Sequence, residues 1–360
     1  MEVLSLDEFD GLLRELVSRG FTLAGPTLRG DAIVFDRIRS IDDLPAGYTD
    51  LQKPGSYRVE KTSRAALFDH SVGAHSFKPF VFPPAIRLFT ARRSNGSIDF
   101  EPADGAAPRV ALIGVRPCDL AALELRDRIS VDRDPAYTAR RNNIFVVAVN
   151  CTRAGGNCFC ASMGTGPAAK TGFDLLLTEV DGEFVVETGS DAGAAVLAAI
   201  PHAQASDIDA ARAENAVRDA AAQMGRSIDI SNLRETLYAS ADHPRWEETA
   251  KRCMTCGNCT MVCPTCFCTT VEDTTDLGGE SAERWRRWDS CFTLSFSYVA
   301  GGSVRKSSMS RYRQWLTHKF AAWQDQFGTA GCVGCGRCIT WCPSGIDLTE
   351  EIAAIRRTEA

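Results

Sequence analysis

The sequence predicts an α/β (or α+β) domain over residues 1–240, followed by a helical, cysteine-rich domain over residues 241–360. Three observations predict it. Two continuous apolar runs, Arg109–Val115 and Asn143–Val149, flank a helical stretch, which is the pattern of a strand–helix–strand unit with parallel strands. Residues 191–224 are Ala-rich and read as helix. Beyond about residue 240 the strand pattern gives way to polar helical spacing and a spaced series of cysteines.

Taken in order, residues 5–19 form a helix opened by a capping box, with Ser5 at the N-cap and Glu8 three residues on. Phe9, Leu12, Leu13, Leu16 and Val17 share its apolar face, and Gly20 ends it. Ala32–Phe35 is a short strand. Residues 50–105, rich in Pro, Gly and aromatics, read as strands and loops. The run Arg109–Val115 is a buried strand, Asp119–Ile129 a helix carrying Leu120, Leu123 and Leu125, and Asn143–Val149 a second buried strand. Phe173–Val180 and Glu183–Thr188, joined by Asp181-Gly182, read as a hairpin. Residues 231–251 are a polar helical connection. The later stretch Ser308–Gln326 is helical, and much of the segment between the two cysteine motifs reads the same way.

Composition narrows the function. Lys plus Arg is 40 against 46 Asp plus Glu, a net charge of −6, which argues against nucleic-acid binding by bulk charge. The N-terminus lacks the basic and apolar regions of a secretory signal, and no apolar run approaches the roughly 18 residues that span a bilayer. A cytoplasmic protein that binds no membrane is expected. The chain carries 15 cysteines. In a reducing compartment, clustered cysteines are metal ligands or redox groups before they are disulfides.

Their spacing decides between these. Cys253, Cys256, Cys259 and Cys263-Pro264 form C-x2-C-x2-C-x3-C-P, and Cys332, Cys335, Cys338 and Cys342-Pro343 repeat it. In such motifs three close thiolates hold three corners of a 4Fe–4S cubane and the fourth serves the other cluster. The expected sets are Cys253, Cys256 and Cys259 with Cys342, and Cys332, Cys335 and Cys338 with Cys263. Zinc, the alternative, favours a single set of four ligands over two such quartets. Two 4Fe–4S clusters are therefore expected, in a domain resembling the α-helical dicluster ferredoxins of larger redox enzymes. Cys118 and Cys151 each follow a predicted strand, so both fall at the carboxyl edge of the sheet, and Cys158 and Cys160 follow in a Gly-rich loop. These four thiols predict a third 4Fe–4S cluster. The alternatives are buried cysteines acting as small hydrophobes and a redox dithiol. Cys266, Cys268 and Cys291 receive no role.

Residues 281–322 hold Arg284, Arg286, Arg287, Arg305, Lys306, Arg311, Arg313 and Lys319 against Glu283 and Asp289. This basic stretch is read as tuning a cluster's potential, as a solvated helix face, or as a docking surface. The interspersed Trp285, Trp288, Tyr312, Trp315 and Trp323 suit a core or a protein interface. Gly164-Thr-Gly166-Pro-Ala-Ala169 matches a dinucleotide fingerprint in letters, but it does not follow a strand directly and contains a proline. The five histidines are dispersed and are read as structural.

Several motifs occur together and in order: Val115-Arg116-Pro117-Cys118-Asp119-Leu120, Cys158-Phe-Cys160-Ala-Ser-Met-Gly164, Gly172-Phe-Asp-Leu-Leu-Leu-Thr-Glu179, Cys263-Pro-Thr-Cys266-Phe-Cys268, Trp288-Asp-Ser-Cys291-Phe and Ser310-Arg-Tyr-Arg-Gln-Trp315. With them the chain resembles the β subunits of NADP-linked NiFe hydrogenases, or sulfhydrogenases. It is similar too to the electron-transfer subunit of anaerobic (sirohaem) sulfite reductase. The resemblance runs from about residue 55 to 352. It implies an electron-transfer subunit, not catalytic alone. Such a chain relays electrons between NiFe small and large subunits and a flavin/NADP(H)-binding subunit, or within the sulfite reductase. The resemblance also implies that no FAD or NADP is bound by this chain. An iron–sulfur redox sensor and a stand-alone polysulfide reductase are the rival readings.

Overall fold

The computed structural model of the protein describes residues 1–94, 96–102 and 107–357. Residues 95 and 103–105 of the aromatic-rich stretch 50–105 thus lie outside the described residues. The N-terminal helix runs Leu6–Ser18 with the expected capping box: Ser5 N–H donates to Glu8 at 2.7 Å and Glu8 N–H to the Ser5 hydroxyl at 3.3 Å. Phe9, Leu12, Leu13 and Leu16 are buried, but Val17 is exposed, at the outer edge of the apolar stripe.

The main sheet has eight strands, in spatial order Ala203–Gln204, Glu2–Leu4, Glu183–Thr188, Leu175–Val180, Ile144–Val149, Val110–Val115, Thr22–Arg29 and Ala32–Arg37. Its four central strands, from Leu175–Val180 to Thr22–Arg29, pair in parallel, and the flanks are antiparallel. The two innermost of these, Val110–Val115 and Ile144–Val149, are apolar throughout because both faces are covered. One face packs on the helix Leu6–Ser18 through Ala111, Ile113, Phe145 and Val147. The other carries Leu112, Val146 and Ala148 against the helix Pro117–Ser130, together with Val333 and Cys335 of the second cysteine motif.

Gly114 interrupts the strand Val110–Val115. It has φ +76°, and the ladder shifts register between Ile113 and Val115. A Cβ there would lie 2.7 Å from the Phe68 ring. This bulge turns Val115 onto the same face as Leu112, which aims the chain toward Cys118.

The Ala-rich segment breaks into two helices, Asp191–Leu197 and Asp207–Ala222, and the polar connection into Leu233–Ala239 and Arg245–Arg252. The segment between the cysteine motifs departs most from expectation. Helix does occupy Ser308–Thr317 and continues, through one π-helical turn, to Phe327. Yet Thr269–Thr275 and Ser281–Trp288 form an antiparallel hairpin. Its second strand pairs with Ala85–Ser94, so one four-stranded sheet joins residues 85–102 to residues 269–288. The helical expectation failed there because Thr269–Thr275 is threonine-rich and β-branched, and Ser281–Trp288 carries the aromatic Trp285 and Trp288.

A third core lies around the cysteine motifs, with Trp246, Tyr312, Trp315, Phe320, Ile339 and Ile352 buried and Cys253, Cys259, Cys332, Cys338 and Cys342 packed against it. Among the described residues, no helix is long and apolar enough to cross a membrane.

Candidate iron–sulfur sites

Cys253 ends the helix Arg245–Arg252, and Cys259 lies in the short helix Asn258–Met261, entered through Gly257 at φ +79°. Cys338 lies in the matching helix Arg337–Thr340, entered through Gly336 at φ +75°. The same tight turn thus leads into each short helix and places the third cysteine of each motif in its first turn.

A single cavity is walled by Cys253, Cys256, Cys259 and Cys342, with Cys338, Phe292, Tyr312 and Trp315 completing it. Cys342 comes from the other motif. Burial pushes the Cys259 thiol well up, and the charges of Cys253, Cys342 and Cys256 add to the rise. In the second group, Cys332, Cys335 and Cys338 each feel the charge of Cys263, from the first motif. The two quartets adjoin through Cys259 and Cys338.

Cys118, Cys151, Cys158 and Cys160 come together at the carboxyl edge of the main sheet. Cys118 sits in the first turn of the helix Pro117–Ser130, and Cys118, Cys158 and Cys160 are buried. Cys160 feels Cys158 and Cys151, Cys158 feels Cys151, and Cys118 feels Cys160. Burial first, then these neighbours, pushes the Cys158 thiol up to about 12. Such thiols stay protonated unless a cation offsets their charge, and a coordinated metal does this outright. All three of Cys118, Cys158 and Cys160 also feel Cys335, so this third set adjoins the second quartet. Among the described residues, no three His, Cys, Asp or Glu side chains are placed to hold a single metal ion.

The third set is locked to the second motif by hydrogen bonds of both backbone and side chains. Phe159 N–H donates to Gly334 O at 2.8 Å, Asn157 to the Thr340 hydroxyl at 2.8 Å, and the Thr165 hydroxyl to Val333 O at 2.7 Å. Gly334, at φ +65°, passes so close that a Cβ would lie 2.6 Å from Cys160 Cα. Beside these contacts lies a pair that sequence reading missed. Arg337 and Asp119 are both buried and joined by two hydrogen bonds of 2.7 and 2.8 Å, while Arg337 Nε donates to Gly73 O at 2.9 Å. Arg337 lies between Cys335 and Cys338, and Asp119 follows Cys118. A charge inside each cysteine motif, opposite in sign, was the available signal.

Lys319 was also missed as an individual. Only 4% exposed, it donates to Cys263 Sγ at 3.3 Å, the Thr265 hydroxyl at 3.2 Å and Gly331 O at 2.9 Å. It lies four residues after Trp315 and seven after Tyr312, on the buried face of its helix, and that spacing could have singled it out. Buried Lys78 reaches Cys263 O at 3.4 Å and lies 3.8 Å over the Trp288 ring.

Much of the basic stretch is neutralised by acids outside it. Arg284 pairs with Asp273 at 2.6 Å and Arg287 with Glu272 at 2.8 Å. Arg286 pairs with Asp134, and Glu283 with Arg87. These arginines stand on a strand, not a helix face. Lys319 is the member that hydrogen-bonds to sulfur, and Arg311 lies close enough to Cys253 to oppose its upward shift. Tyr312, Trp315 and Trp323 are core residues. Gly164–Ala169 lies in a loop with no helix behind it, and Gly166 packs against Cys160: a Cβ there would lie 3.0 Å from its Sγ.

Residues 252–346 match the 4Fe-4S dicluster domain family. The chain is 29% identical to the Sulfhydrogenase 2 subunit beta of Pyrococcus furiosus over 344 residues, covering 92% of this chain and 91% of that one. No solved structure matches the chain. Residues 252–346 are thus similar to 4Fe-4S dicluster domains, within a chain that is similar over most of its length to a sulfhydrogenase β subunit.

Proposed function

We propose that this chain is a three-cluster electron-transfer subunit of a heteromeric oxidoreductase. In this reading residues 1–240 hold one 4Fe–4S cluster through Cys118, Cys151, Cys158 and Cys160. Residues 241–360 hold two, through Cys253, Cys256, Cys259 and Cys342, and through Cys332, Cys335, Cys338 and Cys263. When bound, each cluster supplies a one-electron carrier. The protein supplies soft thiolate ligands, burial, and hydrogen bonds to sulfur from Lys319, from Gly334 N–H to Cys332 at 3.5 Å and from Ile346 N–H to Cys342 at 3.4 Å.

The observation that carries the reading is the order of the thiol sets. The third set adjoins the second quartet through Cys335, and the second adjoins the first through Cys259 and Cys338. A row of adjoining sites is a wire. The partners fitting the resemblance are a NiFe hydrogenase module at one end and a flavin/NADP(H)-binding subunit on the other, with this chain binding neither FAD nor NADP.

Iron and sulfide quantitation on the anaerobically purified complex tests the cluster count. Cys118→Ser with Cys151→Ser should remove about one third of this chain's iron and leave the other clusters' EPR signals in place. Unchanged iron in that variant refutes the third cluster. Identification of the co-purifying chains tests the partners: a NiFe large subunit supports the hydrogenase reading, and a sirohaem subunit replaces it with sulfite reduction.

A further inference from the structure

We propose that Cys268 and Cys291 form a redox-active pair, interconverting between two thiols and a disulfide and giving the chain a two-electron store beside its one-electron sites. Neither residue belongs to the three thiol sets. Cys266, the other cysteine outside them, is engaged with Cys263 and lies 3.6 Å from Lys319 Nζ.

The hairpin brings the pair together. Thr269 is the last residue of its ladder and faces Trp288. Asp289 N–H extends the ladder by donating to Cys268 O at 2.9 Å. The chain therefore leaves both strands side by side, with Cys268 just before one and Cys291 just after the other. A turn then fixes Cys291: the Ser290 hydroxyl accepts from Phe292 N–H at 3.1 Å, and Ser290 O accepts from Thr293 N–H at 3.0 Å. The two thiols lie near enough for each to act on the other's titration. Cys291 is buried and Cys268 half-buried, so the contact is shielded from bulk thiols.

The surroundings favour a thiolate on one side. The ammoniums of Lys319 and Lys78 are both buried and both act on Cys268. The Cys291 thiol first, and these charges with it, bring the Cys268 thiol down to about 7 despite its burial. A thiolate held against a neutral thiol is the arrangement from which a disulfide forms. On oxidation, the Cys268 thiolate and the Cys291 thiol form one S–S bond, release one proton and give up two electrons. These pass singly to one-electron acceptors of the iron–sulfur class, the one point at which the inference rests on the relay reading. Reduction reverses each change.

The test uses the complex as purified, held anaerobically at two potentials, with ferricyanide as oxidant and dithionite as reductant. It is then denatured, alkylated and peptide-mapped by mass spectrometry. The expected result is a Cys268–Cys291 disulfide in the oxidised sample and two alkylated thiols in the reduced one. Cys268→Ser and Cys291→Ser should each take up two fewer electrons per chain in a reductive titration, with iron content unchanged. Alkylation of both thiols after oxidation overturns the proposal, and so does loss of iron from either variant, which would make these residues metal ligands. If a serine variant does not fold, the mapping of the unaltered complex still decides. Absence of iron from the unaltered complex would refute the relay reading and leave the mapping result standing.

Discussion

Replacing Asp119 by Ala would leave the Arg337 guanidinium buried without its counter-charge. The two groups meet through paired hydrogen bonds of 2.7 and 2.8 Å and are 3% and 2% exposed, so water cannot take over from the lost partner. Charge centres about 4 Å apart, at an effective dielectric of about 20, attract by about 4 kcal/mol. Breaking a buried pair from one side costs about 3–5 kcal/mol by direct comparison. Asp119→Ala should therefore lower unfolding free energy by about that amount, measured by anaerobic urea unfolding followed through tryptophan fluorescence. The Asp119→Leu, Arg337→Met double variant leaves no stranded charge and should recover much of the loss, so the double-mutant cycle should show strong coupling. A single-variant cost below about 1 kcal/mol, together with coupling near zero, would refute the reasoning.

Three further outcomes follow from the same structure. Lys319→Met removes a charge-assisted hydrogen bond to Cys263 sulfur, of the kind that contributes about 1.5–3 kcal/mol. Because the cation favours the more negative, reduced form, one cluster potential should fall by roughly 65–130 mV in an EPR-monitored titration, at about 59 mV per tenfold for one electron. Gly334→Ala should destabilise far more than Gly328→Ala: both have left-handed φ, +65° and +70°, but only Gly334 has backbone within 4 Å of the new Cβ. Comparing iron retention of the two variants checks this. His70 is fully buried, and desolvation first, then the Arg116 charge, brings it down to about 4. Since the folded value lies below the usual 6.5, its contribution is complete above pH 6.5. It is lost between pH 6.5 and 4, with a slope of up to about 1.4 kcal/mol per pH unit. His70→Asn should flatten the stability–pH profile in that window.

The parallel core was readable in advance because strands buried on both faces are written as unbroken apolar runs, as at Val110–Val115 and Ile144–Val149. The cysteine motifs were readable because ligand geometry constrains their spacing directly. Cys118, Cys151, Cys158 and Cys160 needed a topological step: only parallel neighbours put the ends of two strands at one edge. The hairpin of Thr269–Thr275 and Ser281–Trp288 carried a local signal in its β-branched threonines that was passed over, whereas its pairing with Ala85–Ser94, nearly 200 residues away, was not readable because no local signal encodes a distant pairing. Lys319, Lys78 and the Asp119–Arg337 pair escaped for a related reason: a charged residue looks exposed until the fold shows what it meets.

The cavity walled by Cys253, Cys256, Cys259 and Cys342 has a consequence for biosynthesis. Cys342 follows Cys259 by 83 residues. At roughly 5–20 residues per second, the fourth wall of that cavity is made several seconds after the first three. For that interval three thiols stand unpaired with their last partner, open to oxidation and to adventitious metals. In the reading proposed above, loading of that cavity waits until the second motif has been made, so the chain carrying both motifs, not the nascent first motif, is the species a cluster-delivery factor has to recognise.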